Sequence, residues 1–242
     1  FSFDTTITEQ AIFTLWQHTG GLDNLAAADL LQNFYERSLV LIDRPVGSND
    51  TENNRISLHD LLFDFAARKA IQSFKDISAL HNHLIDAYWE KCPDGWSSGP
   101  DDGYFLQHLG QHLVAASRQE ELISLLVHFH WIERKVESSL LYSLIDDYDF
   151  VIKSEAQGSQ EAVYPGISPE RRTSLGLIRG ALQLSSHVLA QKPNQLPSQL
   201  IGRLLGSGEP VVRKLIDETN RFDRYPWLRP ITPCLTPPGG PL

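Results

Sequence analysis

Methionine is missing from all 242 residues, and cysteine occurs only twice, at Cys92 and Cys234. A chain that opens on Phe1-Ser-Phe-Asp4 without an initiator is expected to be processed or to be a segment of a longer protein. Two thiols so far apart, one in a turn and one in a Pro-rich tail, form no metal-binding spacing. They read as free thiols of a reducing cytoplasm. Long apolar runs are also lacking. No stretch approaches the roughly 20 residues needed to span a bilayer, and no charged-then-apolar leader is evident. Basic residues are in the minority, 21 Lys and Arg against 30 Asp and Glu, for a net charge of −9. Nucleic-acid binding wants clustered cations. Here Arg37, Arg44, Arg55, Arg68 and Lys69 are scattered among carboxylates, so neither DNA nor a membrane is an expected partner. Finally, no Gly-x-x-x-x-Gly-Lys-Ser/Thr loop is present to cradle phosphates, nor a strand ending in paired acids. The segment is therefore not expected to hydrolyse ATP or to be an enzyme by itself.

What the chain does contain is apolar residues at 41% of positions, patterned for helices. Thr8 precedes a segment whose Ile12, Leu15 and Trp16 fall at helical spacing, closed by Gly20-Gly21. Asp23 or Asn24 can cap a second helix, with Leu30, Leu31 and Phe34 on its apolar stripe. Leu39-Val-Leu-Ile-Asp43 suits a strand, residues 44–54 a polar turn-rich loop, and Ile56 and Leu58 a second strand. Helices are expected almost without relief from His59 onward. Ser78 opens one carrying Leu80, Leu84, Ala87 and Tyr88. Asp101-Asp102 caps another over 104–116, and short helices follow over 120–128 and 131–150. A polar loop covers 153–169, and helices resume over 170–191, 196–205 and 209–222. Short helices with one apolar stripe each build an antiparallel stack. The prolines after Tyr225 forbid helix and favour an extended spacer.

Helices, strand, wing, strand and helix in that order, with Leu58-His59-Asp60 at the final junction, resemble the winged-helix domain of the NB-ARC class of STAND P-loop ATPases. Further runs are similar to the helical domain that follows the winged helix in apoptotic protease-activating factor. These are Asp102-Gly-Tyr-Phe-Leu-Gln-His-Leu-Gly-Gln-His-Leu113, Glu120-Glu-Leu-Ile-Ser-Leu-Leu126, Phe129-His-Trp-Ile-Glu-Arg-Lys135 and Leu144-Ile-Asp-Asp-Tyr-Asp149. Residues 177–205 and Pro226-Trp-Leu-Arg-Pro230 resemble bacterial members in which WD-repeat blades come next.

The resemblance implies a mainly α fold with three parts. Residues 1–74 would be a winged-helix domain lacking its first helix, built from helices plus a two-stranded hairpin. Residues 75–224 would be an all-α antiparallel helical stack, and 225–242 a Pro-rich connector towards a WD-repeat propeller. It implies that His59, supported by Leu58 and Asp60, contacts the β-phosphate of ADP or ATP held mainly by an upstream nucleotide-binding domain. The implied partners are that domain and the propeller in the same parent chain, with homo-oligomerisation on activation. A helical interaction scaffold with no nucleotide role is the alternative.

Other constellations are weaker. His108 and His112 stand four apart on one helical face, a zinc spacing, but no intervening glutamate or third ligand accompanies them. His81 and His83, and His128 and His130, are two apart and expected on different sides of a helix. Cys92 precedes the turn Pro93-Asp-Gly95 with no oxyanion framework. Asp146, Asp147 and Asp149 read as a solvated helix end, and Trp89, Trp96 and Trp131 as helical core.

Overall fold

Thr8 turns the chain into its first helix because its hydroxyl takes over a donor the helix cannot satisfy: it accepts from Ala11 N at 3.4 Å. In the computed structural model, which describes residues 6–43, 54–58, 60–74, 77–152 and 167–239, that helix is α1 (Glu9–Gly20). Gly21 ends it with φ of 64°, a left-handed turn that glycine adopts at no steric cost. Asp23 caps α2 (Asn24–Glu36) by accepting from Ala26 N at 2.8 Å. The chain groups into two compact units, 1–118 and 119–242.

The first unit holds the only sheet among the described residues, with strand order β1-β3-β2. β2 (Val40–Asp43) and β3 (Arg55–Leu58) form the expected antiparallel hairpin, with Val40 opposite Leu58 and Asp43 opposite Arg55. β1 (Ile7–Thr8) adds a third strand that the sequence did not announce; two residues carry no alternation to read. Phe13, Ala27, Leu31, Val40 and Ile56 form a core between sheet and helices. In α1 the fully buried positions are Ala11, Phe13 and Thr14, while Ile12, Leu15 and Trp16 are half-buried. The expected stripe instead lines an apolar cavity of about 300 Å³.

α3 (Asp60–Phe74) and α4 (Ile77–Trp89) follow, and Leu84, Ile85, Ala87 and Tyr88 of α4 are buried. Asp102 caps α5 (Phe105–Ala115), accepting from Tyr104 N at 3.0 Å and Phe105 N at 2.8 Å. Its other oxygen accepts from Tyr88 Oη at 2.6 Å, which ties α4 to the start of α5. Trp89 is half exposed rather than in the core, its ring set against that of buried Trp96. Of the residues given to the wing, only Asn54 falls among those described.

The second unit contains α6 (Gln119–Leu126), α7 (Phe129–Glu137), α8 (Leu141–Ile152), α9 (Pro169–Leu189), α10 (Leu196–Leu204) and α11 (Pro210–Asn220). The 131–150 region divides at Ser139, whose φ is 60°, with Leu140 N returning to Lys135 O at 2.8 Å. Residues 153–166 of the expected polar loop lie outside the described residues. Ser168 caps α9 with Pro169 in its first turn. Glu218 on α11 accepts from Phe129 N at 3.1 Å and so caps α7 from a distant helix. Arg179 on α9 pairs with Asp149 on α8 at 2.7 Å and 3.0 Å. Trp131 is fully buried here. The molecule is thus mainly helical with a small antiparallel sheet, consistent with the expected fold class. The Pro-rich tail is non-helical, as its composition requires, and residues 226–239 lie against α9 and α10.

Candidate functional site

The junction between β3 and α3 is short because a strand residue passes to a helix start in two steps. Leu58 closes β3 opposite Val40 and is 38% exposed. It shares a strand face with buried Ile56, two residues back. Leu58 borders the 300 Å³ cavity, whose walls include Trp16, Phe34, Phe63 and Leu84. Asp60 is the first residue of α3. His59, the expected phosphate contact, lies outside the described residues.

The helical region concentrates its chemistry in two buried polar clusters that spacing alone did not reveal. In the first, His81 Nδ1 on α4 and His112 Nδ1 on α5 share a hydrogen bond of 2.7 Å. His112 Nε2 is bonded to Tyr104 Oη at 2.8 Å. Burial, then the charges of His81 and His108, hold the His112 ring pKa down to about 3. Burial also lowers His81. Burial, with Asp102 beside them, keeps the Tyr88 and Tyr104 phenols protonated far above their ordinary range. Two Nδ1 atoms at that separation can bond while one ring carries the proton between them; protonating both sets two N–H groups against each other.

His108 and His112 turn to different neighbours. The His108 ring stacks on Tyr104 with centroids 4.4 Å apart, while His112 is turned to His81. His81 and His83 do part: the His83 ring lies 6.0 Å from that of His18, which is bonded to Glu90. His128 and His130 do not, their rings being 5.7 Å apart because His128 precedes α7 and escapes its periodicity.

In the second cluster Lys135 Nζ, fully buried, donates to Asp147 and to Ser143 Oγ. Asp147 is buried, which corrects its reading as a solvated residue. Burial pushes its carboxyl up to about 6, against the opposing pull of Lys135. The signal was present: Asp147 lies three residues after Leu144 and four before Val151, on the apolar stripe of α8.

Cys92 is buried, its thiol donating to Tyr88 O at 3.1 Å, and burial raises it to about 11. Such a thiol is not a nucleophile at neutral pH. Among the described residues no three His, Cys, Asp or Glu side chains gather as a metal site, and no helix is long and apolar enough to cross a membrane.

Among curated proteins none matches the chain. The family described as the APAF-1 helical domain matches residues 77–197, half of the sequence, from the start of α4 into α10. That stretch contains both buried polar clusters. The chain belongs to the APAF-1 helical domain family.

Proposed function

We propose that this chain is the regulatory, non-catalytic portion of a signalling STAND ATPase, holding an upstream nucleotide-binding domain closed over ADP. The observation that carries the reading is the family match over 77–197, with a strand-to-helix junction bearing Leu58, His59 and Asp60 just ahead of it. Residues 1–74 would act as a winged-helix lid, 75–224 as the helical stack, and 225–242 as the connector to a WD-repeat sensor. Binding at that sensor would favour the open state, so that nucleotide exchange and oligomerisation follow. A ligand can shift such an equilibrium only by its unequal affinity for the two states.

His59 would donate to the β-phosphate of ADP. A charge-assisted bond of this kind contributes about 1.5–3 kcal/mol, or roughly tenfold to a hundredfold in ADP retention. The test uses the parent protein with its ATPase domain. Nucleotide released on denaturation is quantified for wild type and His59→Ala. ADP held by wild type and lost from the variant is the expected result. The apolar cavity beside Leu58 favours one alternative, a helical scaffold that docks a partner protein. Equal nucleotide in both proteins, or none in either, would move the reading there.

A further inference from the structure

Five prolines between 226 and 238 remove five N–H donors and bar a helix. Left in water, such a segment would be solvated along its length. Instead the structure gives it a bed. Ser198 Oγ at the start of α10 donates to Leu228 O at 2.7 Å. The N–H groups of Cys234 and Leu235 both donate to Gly202 O, at 3.2 and 3.1 Å. That carbonyl belongs to the last turn of α10, where intrahelical donors run out, so the tail caps the helix. Beside it, Arg203 donates from Nη1 to Thr236 O at 2.8 Å, from Nε to Ser185 Oγ at 2.8 Å and from Nη2 to Leu184 O at 3.1 Å. One guanidinium thereby binds the tail, α9 and α10 together.

The surface beneath is cut to shape. A Cβ on Gly180 of α9 would stand 2.7 Å from Pro238 Cβ, and one on Gly202 would stand 2.9 Å from Leu235 Cδ1. Both are closer than carbon atoms approach without bonding. Gly176, one turn earlier on α9, faces open space. The notches at 180 and 202 therefore belong to the tail and are not a general property of this helix pair. Leu228 and Ile231 stay 85% and 88% exposed, while Leu235 and Pro238 are half-buried against the two glycines. The groove thus takes backbone carbonyls and amides together with these two side chains.

We infer that α9 and α10 form a binding groove for a non-helical, proline-containing peptide, and that its occupant is this chain's own residues 226–238. The prolines lower the conformational freedom lost on docking. Gly202 O, Arg203 and Ser198 supply the polar contacts, while Gly180 and Gly202 admit Pro238 and Leu235. Any other extended chain using the groove must first displace the tail. While docked, the tail fixes the position and direction of the backbone up to residue 239.

The test is amide hydrogen exchange on the intact chain, read residue by residue by NMR. The Cys234 and Leu235 amides should exchange roughly tenfold or more slowly than in a synthetic peptide of residues 225–239. Arg203→Gln and Gly180→Leu should each return them towards the peptide rate, with the amides of Leu144 and Tyr148 in α8 unchanged. Peptide-like exchange in the wild type would overturn the inference without recourse to any variant. So would slow exchange that neither substitution alters.

Discussion

Lowering the pH should unfold the first unit from within, through His112. Its folded pKa of about 3 lies below the value near 6.5 of an unfolded histidine. Between those two values the unfolded chain binds a proton that the folded one refuses. Stability from this group is therefore complete above about pH 6.5 and drains as pH falls towards 3, at about 1.4 kcal/mol per unit. From pH 6.5 to pH 5 the loss is about 2 kcal/mol, a large part of a typical domain's stability. His81 shifts in the same direction and steepens the loss. The groups facing His112 are His81 on α4, and Tyr104 and His108 beside it on the chain. The assay is urea unfolding of wild type and His112→Asn at several pH values, followed by a probe of the first unit. His112→Asn should be less stable at pH 7.5, by about 1–3 kcal/mol for disturbed buried hydrogen bonds. Its stability should nevertheless fall less on acidification, the curves converging by about 2 kcal/mol between pH 6.5 and 5. Parallel curves, or an NMR titration placing His112 above about pH 5, would refute the reasoning.

Two other predictions rest on burial. Lys135→Met leaves Asp147 buried without its cation, and should cost about 3–5 kcal/mol. The double variant Lys135→Met, Asp147→Leu should recover most of this in thermal or urea unfolding; no recovery would show that the pair is not energetically coupled. For the thiols, Cys234 is exposed and Cys92 buried under the residues around Gly99. A disulfide reagent at pH 8 should therefore titrate one thiol quickly and the second only after denaturant is added. Two fast thiols would contradict the placement of Cys92.

The helices were legible wherever a local signal sets them. Thr8, Asp23 and Asp102 each accept the backbone donors their position assigns to them, because capping is decided within three or four residues. The hairpin of β2 and β3 was legible for the same reason, while β1 depends on a partner some fifty residues away. Asp147 was misjudged by a habit of reading that treats charged side chains as surface, and the bond from His112 to His81 was not foreseen. Asp147 and His112 sit on apolar stripes, and only the arrival of Lys135 and His81 from neighbouring helices makes their burial tolerable. The triplet at 58–60 drew its meaning from the resemblance, since a phosphate contact requires a second domain and no spacing within one chain encodes it.

The tail shows how a correct local rule can leave the environment open. Proline content forbids helix, and residues 226–239 are indeed non-helical. What they rest on is decided elsewhere, at Gly180 and Gly202. A glycine inside a helix costs about 1 kcal/mol relative to alanine, so such a residue calls for a reason in packing. Here the reason is a neighbour some 30 to 60 residues further along the chain, which enters the space a methyl group would fill. Helix-interior glycines beside a distant proline-rich segment are thus a pattern that sequence reading can test: Gly180 and Gly202 mark places where that segment lies close, while Gly176 faces open space.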